Sequence, residues 1–340
     1  MYESFYGLRE RPFDLTPDPR FLFLAPRHRE ALGTLQYGLT TPRGLTLLLG
    51  EAGTGKTTVV RAALAAVRGQ GGRYVLLTNP TLTRAEFYDF LARGLGLSDE
   101  AAGSKSRFLL ELQRDLEQRS QGDRPGAIII DEAQSLSYEL LEEIRLLTNI
   151  ETETVKLFNV VLAGQPELAI VLNQPRLRQL RQRITLRCRL APLDLSETAA
   201  YVAGRLRCAG GAPESIFTKD AVARVFHASA GIPRTINVIC DNALLGGFAA
   251  QVRPIDTAVV DDICRDFDLG AAVTDAGERA NGNETQVPLA RETTEVAAAA
   301  QPSEPGVAVN NGALLAAANP AAASNDLFSM FTRKRRFSFF

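Results

Sequence analysis

LLLGEAGTGKTTVVRAALAAV, residues 47–67, is the stretch whose reading decides the fold. Gly50 to Thr57 fit the pattern G-x-x-x-x-G-K-[ST], with an apolar strand pattern before and a helical pattern after. Glycines let such a loop wrap so that its amides converge on phosphate oxygens, and the following helix turns its positive dipole end to the same point. The candidate cradle is Gly50, Glu51, Ala52, Gly53, Thr54, Gly55, Lys56, Thr57 and Thr58. Lys56 is placed to reach the β- and γ-phosphates and Thr57 to offer its hydroxyl to Mg²⁺.

Around this loop, short apolar runs alternate with amphipathic helical patterns. GLTLLLG (44–50), RYVLLTN (73–79), AIIIDE (127–132), LFNVVLAG (157–164) and RITLRCRL (183–190) read as five strands. Continuous apolar strands separated by helices predict a parallel sheet covered on both faces, a three-layer αβα core over 45–191. Before it, residues 1–44 form an arm in which prolines at 12, 17, 19 and 26 forbid a long helix until Pro26. From there Ala31, Leu35 and Leu39 recur about once per turn. After Pro192 the strand patterns stop, and 192–268 read as a small domain of about four helices, with Ser196, Thr218 and Asp256 as candidate caps. Residues 269–326 have few large apolar side chains and no period, the composition of a disordered linker. The chain then ends in a basic and aromatic tail, 327–340, with Arg333, Lys334, Arg335 and Arg336 flanked by phenylalanines.

Composition bounds the partners. With 45% hydrophobic and 23% charged residues and a formal net charge of −1, this is an ordinary globular composition, and no global field drives it onto nucleic acid or an acidic membrane. Four cysteines without a CxxC pair argue against a zinc site and fit a reducing compartment. No run of about 18 apolar residues and no signal-peptide core occur, so the expected location is cytoplasmic.

The second chemical element is AIIIDEAQ, where Asp131 and Glu132 emerge at the C-terminal end of a buried strand, the edge at which such sheets bind ligands. Asp131 is placed to hold Mg²⁺ through water and Glu132 to polarise an attacking water. Gln165 follows the fourth strand at the same edge and is suited to contact a γ-phosphate or the lytic water; Asn159, at the start of that strand, lies at the wrong edge. In PRLRQLRQRI (175–184), Arg183 is the first candidate and Arg181 the second for a guanidinium delivered to a neighbouring subunit's phosphate. A solvated basic helix is the plain alternative. In GIPRTIN (231–237), Pro233 starts a helix and Arg234 sits at its beginning, where the dipole disfavours a cation unless an anion offsets it.

With these motifs in place the chain resembles the AAA+ ATPases. FYGLRERPFDLTPDPRFLFLAPRHREALGTLQYGL (5–39), DEAQ and GQPEL narrow the resemblance to ATPases of the general secretion pathway protein A type, over about residues 1–268. The resemblance implies ATP and Mg²⁺ as ligands, hydrolysis in a homo-oligomeric ring, Gln165 as sensor 1, Arg234 as sensor 2, and the PFDLTPDPRFLF region near the adenine. It also implies work for membrane-associated export machinery. More distant transposition relatives make DNA the alternative partner. Secretion members typically continue into a transmembrane helix and a peptidoglycan-binding module. Neither pattern occurs in these 340 residues, so cell-wall binding is not expected of them. The tail could hold the protein peripherally at the inner membrane, since each cation near an anionic leaflet contributes about 1 kcal/mol.

Overall fold

The computed structural model describes residues 1–16, 19–41, 43–68, 72–119, 126–151 and 156–268. The linker and tail expected at 269–326 and 327–340 lie outside them. In chain order the elements are α1 (Tyr2–Tyr6), α2 (Pro26–Thr40), β1 (Leu45–Leu49), α3 (Lys56–Val67), β2 (Tyr74–Leu77), α4 (Arg84–Leu95), α5 (Asp99–Gly103), α6 (Lys105–Arg119) and β3 (Gly126–Ile130). They continue with α7 (Tyr138–Leu147), β4 (Phe158–Gly164), α8 (Pro166–Leu172), α9 (Arg178–Gln182), β5 (Ile184–Arg189), α10 (Leu195–Cys208), α11 (Lys219–Ser229), α12 (Pro233–Ala249) and α13 (Thr257–Asp266).

The five strands form one parallel sheet in the order β2-β3-β4-β1-β5. Every residue of β3 and β4 is buried, whereas the edge strand β5 keeps alternate residues in solvent. The two-residue period of a strand divides the central side chains between two cores. Ile128, Ile130, Val160 and Leu162 pack with Phe87, Phe108 and Leu141 of the helices on one face. Ala127, Ile129, Val161 and Ala163 pack with Leu35, Leu39, Val60 and Leu64 of α2 and α3 on the other. This is the three-layer αβα arrangement expected from the apolar runs.

The first residues do not join either of those cores. Tyr2, Tyr6, Leu8 and Phe13 pack with Leu206, Val225, Ile239 and Leu244 of α10–α12 in a third core. Tyr2 donates its hydroxyl to Asp241 at 2.5 Å, and Tyr6 donates to the carbonyl of Val252 at 3.1 Å. Capping explains where the helices of the 192–268 segment, the lid, begin. Asp194, not Ser196, caps α10: it accepts from the Glu197 N–H, and Glu197 reaches back to the Asp194 N–H. That reciprocal pair satisfies two orphan amides, which Ser196, already inside the helix, could not do. Thr218 and Asp256 cap α11 and α13 as expected.

One buried charge ties three helices of the sheet domain. Glu143 in α7, 1% exposed, accepts from Tyr88 of α4 and Lys105 of α6, both at 2.5 Å, and pairs with Arg84 at 2.6 Å. Burial alone would raise its pKa, but the Lys105 and Tyr88 hydrogen bonds and nearby cations outweigh it and hold the carboxyl below its ordinary range. A lowered folded-state value means stability that is present above the unfolded value and lost as pH falls. Glu143→Gln should therefore cost about 2 kcal/mol at neutral pH. In denaturant titrations at several pH values, the difference between the two proteins should shrink below about pH 4.

Candidate nucleotide site

Parallel strands all leave their C-terminal ends at one edge, so the loops after β1, β3 and β4 converge there. The loop after β1 wraps through two left-handed glycines, Gly53 at φ 78° and Gly55 at φ 97°, and enters α3 without a side-chain cap. The first amides of α3 are therefore available to an anion. Lys56, 4% exposed, turns back into the loop and donates to the carbonyls of Gly50 at 2.8 Å and Glu51 at 3.0 Å. Burial pushes its ammonium below the usual lysine range, and the charges of Glu132 and Asp131 oppose that shift. Behind the loop, the buried His28 of α2 bonds the Thr54 carbonyl at 2.9 Å. A carbonyl can only accept, so Nε2 carries the proton.

Across from the loop, Thr57 donates its hydroxyl to Asp131 Oδ2 at 2.5 Å. Two hard oxygens in contact at a phosphate cradle suit Mg²⁺, which takes one or two protein ligands and fills its shell with water and phosphate oxygens. Glu132 follows in the left-handed region at φ 53°, a backbone strain of the kind that gathers at functional sites. Its carboxylate is held by amides: Gln134 donates to Oε2 at 2.5 Å and Gln165 at 3.4 Å. Gln134 also accepts the backbone N–H of Gln165 at 3.1 Å, so one side chain braces the loops after β3 and β4 together. It lies flat against Gly164, where a Cβ would come within 3.0 Å of its Oε1.

The lid closes the third side. The backbone N–H of Arg234, at the start of α12, donates to the Gly53 carbonyl at 3.3 Å. A Cβ on Gly53 would stand 2.8 Å from Arg234 Cβ and 3.0 Å from Ile232 Cγ2, so only glycine allows this approach. Lys56, Thr57, Glu132 and Arg234 line one cleft of about 350 Å³, a size suited to a small-molecule ligand. Leu15, Phe21 and Phe23 of the arm line it as well.

Of the residues singled out from the sequence, these groups meet and the other arginines do not. Arg183 precedes β5 at the opposite edge of the sheet: Ile184 is in register with Leu45, four residues of about 3.3 Å each before the loop begins. Its guanidinium makes no hydrogen bond among the described residues, whereas Arg181 donates to Asn173 at 3.2 Å. Asn159 accepts from the Arg43 and Gly44 amides and donates to the Thr41 carbonyl, a structural strut at that far edge. Two site neighbours were not recognised from the sequence. Gln134 stands in the DEAQ run without an assigned part, and His28 sits one turn before Ala31 on the apolar face of α2.

Residues 40–172 match the AAA domain family model. Over 250 residues the chain is 45% identical to general secretion pathway protein A of Aeromonas hydrophila, covering 73% of this chain and 45% of that protein. The chain thus spans less than half the length of this relative. The ORC2 protein of Aeropyrum pernix superposes with a TM-score of 0.56 at 17% identity, over 75% of this chain and 71% of that one. Drosophila ORC bound to DNA superposes with a TM-score of 0.58 at 18% identity, over 80% and 67%. At such identities these two likenesses describe the fold alone.

The contact between Gly53 and the lid makes a direct prediction. Gly53→Ala should lower stability by about 1–3 kcal/mol, through both positive φ and the clash with Arg234. Arg234→Ala removes only an exposed guanidinium and should leave Tm within about 2 °C of the parent. Thermal unfolding of the two variants side by side checks both.

Proposed function

We propose, for a chain that belongs to the AAA+ P-loop ATPases and is a homologue of general secretion pathway protein A, that it binds and hydrolyses Mg-ATP as an oligomer and drives or regulates assembly of an envelope export apparatus. The observation that carries the catalytic part is the Thr57–Asp131 hydrogen bond, which brings phosphate loop and acidic strand end together beside Glu132. In this reading the amides of 50–58 and Lys56 hold the phosphates, and Thr57 and Asp131 hold Mg²⁺. The ion would supply positive charge to the β- and γ-phosphates. Glu132 takes the proton of the attacking water, Gln165 orients that water or the γ-phosphate, and Arg234 senses the phosphate from the lid.

Arg183 acts on the neighbouring subunit's nucleotide, with Arg181 as the second candidate. Its place at the edge away from its own loop supports action in trans, and Arg181 is already engaged with Asn173. Assembly into a ring follows from a site completed by a neighbour. Cytoplasmic work at the inner-membrane surface belongs to this reading, as does the secretion pathway in the name of the relative. Contact of the 327–340 tail with an anionic leaflet belongs to the same proposal.

One observation favours DNA as the alternative partner. On the edge strand β5, Arg187 and Arg189 both face solvent, a basic pair suited to phosphates. The test is the ATPase rate per subunit against protein concentration, with and without duplex DNA, at two salt levels. A rate that rises with concentration and ignores DNA supports the export reading. Strong stimulation that salt suppresses would replace it with the DNA reading.

Two further outcomes check the mechanism. Glu132→Gln should lower turnover by about 100-fold or more while ATP still binds. Mixing Arg183→Ala with Lys56→Ala protein should restore part of the activity that each lacks alone, because one intact composite site forms between them.

A further inference from the structure

One peptide unit at the end of β4 is hydrogen-bonded on both sides. Its carbonyl, that of Gly164, accepts the backbone N–H of Gly50, the first residue of the phosphate loop, at 3.1 Å. Its N–H, that of Gln165, donates to Gln134 Oε1 at 3.1 Å. A peptide unit is planar and rigid, so these two bonds cannot turn independently. The phosphate loop and the Gln134 side chain are thereby set against each other through a single plane.

The direction of the next link is forced. A backbone N–H only donates, so the atom of Gln134 that faces it is the amide oxygen. The amide N–H₂ is left to donate onward, and it meets Glu132 Oε2 at 2.5 Å. A hydrogen bond to a carboxylate is the stronger, charge-assisted kind. The amide of Gln165 reaches the same oxygen only at 3.4 Å, too long to fix an orientation by itself. Both amides choose Oε2, and Oε1 accepts no hydrogen bond among the described residues. Glu132 lines the cleft, so its carboxylate enters it with one oxygen engaged and the other open.

We propose that Gln134 is a positioning residue for hydrolysis, which turns Glu132 so that Oε1 is the oxygen presented to the attacking water. In that step one water proton passes to Oε1 while the water oxygen bonds the γ-phosphorus. The bond from that phosphorus to the bridging oxygen breaks, and ADP leaves with the electron pair. Gln134 takes no proton and touches no reacting atom; it acts through Glu132 alone. The Gly164–Gln165 peptide keeps this orientation in line with the loop that holds the phosphates. The inference rests on the reading of Glu132 as the base and adds the residue that aims it.

The test is steady-state ATPase and calorimetric ATP binding on the full chain, with single-turnover phosphate release where rates are low. Gln134→Ala should lower kcat by about tenfold, the loss of one charge-assisted hydrogen bond, with KM and the ATP Kd within about twofold of the parent. Gln134→Glu keeps the acceptor for the Gln165 N–H and removes only the donor, so it should lose at least as much kcat. In Glu132→Gln protein, adding Gln134→Ala should cost nothing further, because the two residues act in series. A kcat for Gln134→Ala within twofold of the parent, or above it, would overturn the proposal. So would parental kcat in Gln134→Glu, which would make Gln134 a brace between loops and no more, and this variant decides the matter if Gln134→Ala does not fold. A further loss in the Glu132→Gln background would also overturn it. Parental turnover by Glu132→Gln itself would instead overturn the assignment of the base on which the proposal stands.

Discussion

Strands buried along their whole length have to be covered on both faces. β3 and β4 are buried at every residue, and the arrangement of the sheet domain follows from that. Helices must cross both faces, each crossover must return the chain to the same end, and all three site loops must leave from the other. The cleft needs no special folding instruction beyond this. It lies where the parallel strands run out, and the wrap of residues 50–55 fills the gap that β1 leaves.

Within the cleft the electrostatics are arranged before any ligand arrives. Lys56 is buried against loop carbonyls, Asp131 is 2% exposed against Thr57, and Glu132 is tethered by two amides. Each group is thus satisfied by a neutral or weakly polar partner that a phosphate, a metal ion or a water can replace. Replacing such a partner costs little reorganisation, since the backbone positions are set by the sheet edge and by the strained turn at Glu132. The lid adds its cation through a single backbone bond to Gly53, so its closeness to the loop depends on one missing side chain.

What could be read from the sequence was whatever is local. The loop from Gly50 to Thr58 is contiguous, the strands announce themselves by unbroken apolar runs, and Asp131 at the end of β3 meets Thr57 in the first turn of α3 because β1 and β3 leave the parallel sheet at one edge. The remainder depends on contacts between distant segments. His28 and Thr54 are 26 residues apart, and Arg205 reaches Pro12 across 193. No spacing rule encodes such pairs; they exist only once α2 lies against α3 and the arm against the lid. The cap of α10 was missed for a different reason: Asp194 and Ser196 are both good capping residues, and only the partner Glu197 three places on decides between them. Gln134 was in view throughout, but its part emerges from the neighbouring loop, 31 residues later.

The packing of the first residues into the lid has a bearing on how the chain reaches its native state. Tyr2 touches Asp241, 239 residues later, and Tyr6 touches Val252, with the whole sheet domain lying between. A growing chain therefore presents its opening aromatic segment to solvent long before its partners exist. The sheet domain, whose two cores draw only on residues 31–190, can consolidate first; the third core must wait and then close a very long loop. Long-range closure of this kind slows folding more than it weakens the folded state. The order of synthesis thus makes the arm and the helices after Pro192 the last to settle, and those are the parts that cover the cleft.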